Sequence, residues 1–407
     1  MDLSTIHQGM TPQATARVAR LSATGDDVWA RTTHFASQQP LTTSLTDAAR
    51  RTLHDAVAAH RAISDHLVVI GTGGASLGAQ ALCAITPAAA RVHFMKNCDS
   101  DSIRRQFAVL PLERTSWLII SKSGETVETL AASLAVKAHY AAQNTPLAGR
   151  VSVITQPAAS ALRALAASEG WRVLDHPTTL GGRFSVFSAV GMFPLAFAGI
   201  DTDALMADVD AHFIARLRGQ PAELFKAACW FAASLPEQPL HVMLAYGDRL
   251  AALTQWYKQL WAESLGKDLR GPTPITAIGA VDQHSQLQLY LGGPRDKLFT
   301  VLAPSDDTPA LALATCDVPQ LAYLSARSMQ EVMEASASAT IATLRAHSIP
   351  VRVICSPWDM VHVARFMLDV MLETLLTAAM IDADPFTQPT VEAGKIRARS
   401  ALGDTSA

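Results

Sequence analysis

The sequence predicts an α/β fold built as two doubly wound α/β/α sandwich domains with mostly parallel sheets. Two observations predict it. From about residue 66 short β-branched runs ending in glycine or serine alternate with helix-like segments, and near His241 the same alternation begins again. Strands separated by helices need crossover connections, which lay the strands parallel and put helices on both faces. A chain of 407 residues has room for two or three domains of roughly 150 residues, each able to bury a sizeable core.

Taken in order, residues 1–60 read as a helical segment packed on the core. The first domain, 61–200, opens with a strand at Leu67 to Ile70 that leads into GTGGASLGAQAL. Trp117 to Ile120 leads into SKSGETVETLAASLAVKAH, and Val151 to Ile154 into QPAASALRALAASEG. Connecting helices occupy 201–237. The second domain, 238–407, starts with the strand HVMLAYG and the helix-like DRLAALTQWYKQLWAESLG. Its further strand candidates are TAIGA, KLFTVLAP and VRVICSP, followed by a long apolar helix from about Trp358 to Met380 and by C-terminal helices.

Composition narrows the function. With 49% apolar residues and a net charge of -3, the chain is no disordered tail. Near-neutral charge without a long lysine or arginine run leaves no electrostatic footprint for a nucleic-acid backbone. Cys83, Cys98, Cys229, Cys316 and Cys355 include no C-x-x-C pair, so neither a disulfide framework nor a zinc ribbon is expected. A reducing cytoplasm is the simplest compartment. The opening MDLSTIHQGM does not read as a signal peptide. The longest uncharged stretch, Phe184 to Ile200, is interrupted by Ser185, Ser188, Gly191, Pro194 and Gly199 and falls short of ~20 apolar residues, so it reads as buried protein.

In open parallel sheets ligands gather beyond the carboxyl ends of the strands. GTGGASLG puts small residues where backbone comes close to a neighbour. It suits an anion at a helix start or simply a tight strand-to-helix turn, and with Ser76 where a third glycine would fall it is a poor dinucleotide fingerprint. Ser121, Lys122, Ser123, Gly124, Glu125 and Thr126 set three hydroxyls and a glycine at another helix start. Capping needs one hydroxyl; three suit a compact dianion such as a phosphate monoester. Gly181 and Gly182 precede Arg183, which opens the uncharged run and needs an anionic partner, from substrate or from a carboxylate. On the helix beginning near Asp248, Gln259, Glu263 and Lys267 follow at four-residue intervals, and from spacing alone Glu263 and Lys267 read as an exposed ion pair. Asp282-Gln283-His284 is placed on a loop after TAIGA, and Gln388 and Lys395 lie in QPTVEAGK.

The order of these pieces resembles the glucose-6-phosphate isomerase family, in its compact bacterial form with two sugar isomerase (SIS) domains. IGTGGASLG resembles IGIGGSxLG, ISKSGETVET the phosphate loop S-K-[ST]-x-x-T-x-E-T, and LGGRFSVFSAVG the signature GGR[FY]S-x-x-S-x-x-G. QLWAESLGK resembles Q-x-x-x-E-S-x-G-K, DQHSQLQ the loop with the family's histidine, and QPTVEAGK the pattern Q-x-G-V-E-x-G-K. The match spans about residue 66 to 399.

The resemblance implies roles. Ser121, Ser123 and Thr126 hold the sugar phosphate, with Gly74, Ser76, Lys122 and Gly182 among the substrate-binding positions. Glu263 moves a proton between C1 and C2 through a cis-enediol, and Arg183 stabilises the charge developing on its oxygens. His284 assists ring opening, Lys395 lies at the ring oxygen, and Gln259 and Gln388 contact sugar or phosphate. Two departures stand out: Ala75 where the family has serine, with Ser76 beside it, and Thr390 where it has glycine. The reading is of a metal-independent isomerase without cofactor, cytoplasmic, acting on a phosphorylated hexose, with no nucleic-acid or membrane partner. A homodimer follows from the family's habit of borrowing the histidine from a neighbouring subunit. A dual phosphoglucose and phosphomannose isomerase is the nearest alternative; a non-catalytic SIS-domain regulator would keep the phosphate loop but need no base. No H-x-H-x-E cluster suggests a metal isomerase.

Overall fold

A computed structural model describes residues 9–304 and 310–403. The chain forms two compact units that interleave along the sequence. One takes residues 35–213 and 384–403, the other residues 9–34 and 214–383, counting those described.

The first of these units is built on five strands: β1 (His66–Ile70), β2 (Val92–Met95), β3 (Thr115–Ile120), β4 (Val151–Thr155) and β5 (Arg172–Asp175). They lie in the order β2-β1-β3-β4-β5, every pairing parallel. Because side chains alternate along a strand, Val68, Ile70, Trp117, Ile119, Val151 and Val153 share a face. They pack with Ile103, Ala132, Val136, Tyr140, Leu162 and Ala166 from the helices Ser100–Val109, Val127–Ala142 and Ala161–Ser168. The opposite face meets the helix Asp47–Ile63, whose buried His60 reaches Ser116 and Ser152 at 2.9 and 2.7 Å.

In the other unit β6 (Leu240–Tyr246), β7 (Thr273–Gly279), β8 (Lys297–Leu302) and β9 (Val351–Ile354) are ordered β7-β6-β8-β9, again all parallel. Val242, Leu244, Tyr246, Phe299, Val301, Val351 and Val353 form an apolar core on one face with Ala337 and Leu344 of the helix Met329–Ala346. On the other face His241, Thr300 and Arg352 meet the helices Ala251–Leu265 and Met360–Met380 in a buried polar network. His241 bonds Tyr257 and Thr300, and Arg352 pairs with Glu373. Strands covered on both faces read as near-continuous apolar runs, which made six of these nine visible in the sequence, and the half-buried β7 was visible as well.

The structure adds two strands to the expectation. VHFM and RVLD form β2 and β5, four residues each and at the two edges of their sheet, where half-exposed polar residues break the apolar run. Asp282-Gln283-His284 also differs: it lies in a short helix, Val281–Ser285, rather than a loop. The uncharged stretch divides into a tight 3-10 segment, Gly182–Phe187, and a buried helix, Ala189–Phe197. Ser185 and Ser188 bury their hydroxyls by donating to Gly182 and Ser185 carbonyls at 2.7 and 2.6 Å. Among the described residues no helix is long and apolar enough to cross a membrane.

Candidate active site

At the carboxyl end of β3 the chain turns through Ser121–Thr126 before entering the helix Val127–Ala142. The turn needs glycine at 124. Its φ is +69°, and a Cβ there would stand 2.1 Å from Ser160 Oγ. The loop hydroxyls converge: Ser121 Oγ and Thr126 Oγ1 lie 3.0 Å apart, the Gly124 N–H donates to Ser121 Oγ at 3.1 Å, and the Glu125 N–H to Ser123 Oγ at 3.2 Å. Thr126 stands at the N-cap, yet its hydroxyl makes no capping hydrogen bond. Plain capping therefore does not account for it. The helix that follows has 16 residues, so its first N–H groups and its dipole are directed at the hydroxyl cluster.

Two cations stand by this loop. Lys122 is half-buried, and burial together with the Arg183 guanidinium holds its pKa below the usual value. Arg183 is buried, donates to the Pro385 carbonyl, and lies 5.4 Å from the Phe184 ring centre. Neighbouring cations at low exposure raise the local affinity for an anion. Arg183 is delivered here by a close backbone approach: a Cβ on Gly74 would sit 2.3 Å from the Gly182 carbonyl carbon, and Ser185 Oγ spans the Gly182 carbonyl and, at 3.4 Å, that of Gly74. Gly74 is thus explained by packing against Gly182. Ser76 is fully buried, 3.5 Å from the Gly73 carbonyl. Gln388 is half-buried, and Lys395 is exposed, paired with Glu392 at 2.7 Å.

The remaining predicted residues belong to the other unit. Leu253, Tyr257, Leu260 and Trp261 bury one stripe of the helix Ala251–Leu265, which leaves Gln259 and Glu263 half-buried on its flank. Gln259 Nε2 donates to Glu263 Oε1 at 2.9 Å, while Lys267 Nζ donates to the Glu263 carbonyl oxygen at 2.6 Å. The four-residue spacing thus orients the carboxylate through an amide and lets the lysine close the end of the helix. His284 is exposed on its short helix, whose ends are fixed by its neighbours. Asp282 accepts from the Ile278 N–H at 2.6 Å, Ser285 at 2.9 Å and Gln286 at 2.9 Å. Burial acts to raise the Asp282 pKa, but these hydrogen bonds outweigh it and hold the carboxyl below its usual range. Gln283 turns inward and accepts from Tyr246 Oη at 2.8 Å and Thr340 Oγ1 at 3.1 Å.

Sequence reasoning gave no role to Asp282, Gln283, Glu125 or Arg399. Glu125 accepts from the Ala161 N–H at 2.7 Å and from Arg399 at 3.1 Å. The side-chain donors of Gln283 and Glu125 are remote in sequence, so no local spacing could announce them.

Parallel, helix-covered sheets with a hydroxyl-lined loop beyond the third strand define a protein of the sugar isomerase (SIS) fold. Residues 21–282 match the family model described as phosphoglucose isomerase. A probable glucose-6-phosphate isomerase of Haloquadratum walsbyi is 35% identical over 87% of this chain and 83% of its own. Among solved structures, a hypothetical protein of Thermus thermophilus superposes with a TM-score of 0.84 at 30% identity, covering 94% of this chain and 96% of that one. A glucose-6-phosphate isomerase of Chlamydia trachomatis gives 0.76 at 21% identity, covering 88% and 74%, which speaks to the fold. The chain belongs to the phosphoglucose isomerase family.

Proposed function

We propose that this protein interconverts D-glucose 6-phosphate and D-fructose 6-phosphate. The observation that carries the reading is the cluster of Ser121, Ser123 and Thr126 at the start of a 16-residue helix beside Lys122 and Arg183, a set matched to a phosphate dianion. A phosphate arriving there exchanges the loop's internal hydrogen bonds for charge-assisted ones.

The chemistry follows from the residue types. His284 and Lys395 assist opening of the sugar ring. Glu263 then takes the C2 proton of the open-chain aldose; the C2–H electrons form the C1–C2 double bond of a cis-enediol as the C1=O π pair moves onto O1, which takes up a proton, and return of the proton to C1 with loss of the O2 proton leaves the C2 carbonyl of the ketose. Atoms and electrons balance within the substrate. A carboxylate oriented by the Gln259 amide is a suitable base, and the Arg183 guanidinium, fixed by the Pro385 carbonyl, stabilises the enediol oxygens without reorganising. Gln259 and Gln388 complete the contacts to sugar or phosphate. We place the enzyme in the cytoplasm, consistent with five unpaired thiols, and infer a homodimer.

The test is conversion of fructose 6-phosphate in excess EDTA, with mannose 6-phosphate followed in the same tube. Glucose 6-phosphate alone is expected; both products would make the enzyme dual-specific, and neither would overturn the reading. Glu263→Gln should lower kcat by about 10²–10⁴-fold while hexose-phosphate binding, read by calorimetry, stays within a few-fold. Undiminished turnover in that variant would remove the assigned base.

A further inference from the structure

The helix Glu392–Ala401, which carries Lys395, has ten residues and buries none of them. Arg399 is its only residue that is not exposed. A ten-residue helix in water is marginal by itself. The ion pair of Lys395 with Glu392 lies within the helix, so it fixes nothing relative to the rest of the unit. Arg399, by contrast, reaches the phosphate loop. Its Nη2 donates to the Glu125 carbonyl oxygen at 2.6 Å and to Glu125 Oε2 at 3.1 Å, and the other carboxylate oxygen accepts from the Ala161 N–H at 2.7 Å.

We propose that Arg399 is a positioning residue that latches the helix carrying Lys395 onto the phosphate loop through Glu125. The inference rests on reading Ser121–Thr126 as the phosphate site. A partly exposed ion pair is worth little alone. Here the guanidinium takes a carbonyl and a carboxylate together, and that carboxylate is already held at the N-terminus of the helix Ala161–Ser168, a favourable place for negative charge. The contact therefore fixes geometry more than it adds stability.

Loop and latch also share a residue. The Glu125 N–H faces Ser123 Oγ within the phosphate loop, while the Glu125 carbonyl oxygen accepts from Arg399. A phosphate that orders this loop orders the acceptors of Arg399 as well, and by linkage an anchored helix favours phosphate binding. A seated phosphate thus favours the latched position of the helix that carries Lys395.

Two measurements on the full chain test this. The first is kinetics of Arg399→Ala and Arg399→Lys. The alanine variant should lose about 10–100-fold in kcat, because a small misplacement of Lys395 is costly, with a smaller rise in KM. Lysine, which keeps one charged donor, should recover part of the loss. The second is the rate of trypsin cleavage after Lys395, with and without inorganic phosphate. Phosphate should slow cleavage of the unsubstituted protein and leave the alanine variant unaffected. Undiminished kcat in Arg399→Ala, or phosphate protection that persists in it or is missing from the unsubstituted protein, overturns the latch. An unsubstituted protein that turns over no hexose phosphate, yet shows phosphate protection abolished by Arg399→Ala, overturns the functional reading and leaves the latch standing.

Discussion

Gly124 sets the shape of the Ser121–Thr126 loop, because its positive φ and the Ser160 hydroxyl 2.1 Å from any Cβ disfavour every other residue. Gly124→Ala should cost about 1–2 kcal/mol in urea unfolding from the left-handed backbone and displaced Ser160, and should raise KM for hexose phosphate several-fold. Unchanged stability and KM would show that the loop is shaped elsewhere. Single residues differ in how far the sequence reveals them. Ser121, Ser123 and Thr126 stand out directly, since hydroxyls gathered within six residues fall in one window of sequence. Glu263 could not: four-residue spacing points to Lys267 and gives no hint of the Gln259 amide on the carboxylate. The family resemblance singled out Glu263 where spacing did not. Arg399 and Glu125 stand 274 positions apart, beyond any local pattern.

Between elements, the pairing of β9 with the helix Met360–Met380 depends on charge as well as apolar packing. Arg352 and Glu373 are 1% and 2% exposed, and Arg352 also donates to Thr300 of β8 at 3.2 Å. Burial raises the Glu373 pKa against the pull of Arg352. Removing only the cation strands a buried carboxyl, so Arg352→Met should cost about 3–5 kcal/mol, whereas the double variant Arg352→Met with Glu373→Leu should recover most of that loss. Chemical denaturation of both proteins reads the difference; equal destabilisation would mean that packing, not the unpaired charge, sets the cost. Strands of this kind were legible because parallel sheets covered on both faces demand apolar runs. β2 and β5 were not, because His93 in one and Arg172 and Asp175 in the other interrupt any apolar run, whereas the equally short edge strand β9 is buried along its whole length. The helical setting of His284 was hidden for another reason: Val281–Ser285 has five residues, too few for a 3.6-residue period to declare itself, and is held by Asp282 and Gln283 side-chain bonds.

For the whole molecule, acid sensitivity is shared by both units: burial holds His241 well below the usual histidine value in one, and two buried histidines behave likewise in the other. Burial, with a smaller contribution from Arg172, lowers the His60 pKa to about 4. Burial lowers that of His176 to about 4 as well, aided by Lys122 and opposed by a hydrogen bond to the Pro177 carbonyl. Both imidazoles stay neutral in the folded state while the unfolded chain binds protons below pH 6.5. Their contribution to stability is therefore complete above pH 6.5 and falls away as pH drops toward 4, by up to about 3 kcal/mol for each. Urea midpoints measured from pH 7 to pH 4 should fall, and His60→Gln should flatten the slope; an identical slope in that variant would exclude His60 as a source.

The interleaving of the units bears on how the protein is made. Residues 384–403 belong with residues 35–213, yet on the ribosome they follow the whole stretch 214–383. At about 5–20 residues per second that stretch of roughly 170 residues takes on the order of 10–30 s to translate. Through that interval a nascent chain carries the β1–β5 segments and Ser121–Thr126 before the helix with Lys395 and Arg399 exists, so Glu125 meets its Arg399 partner only after the second unit has been made.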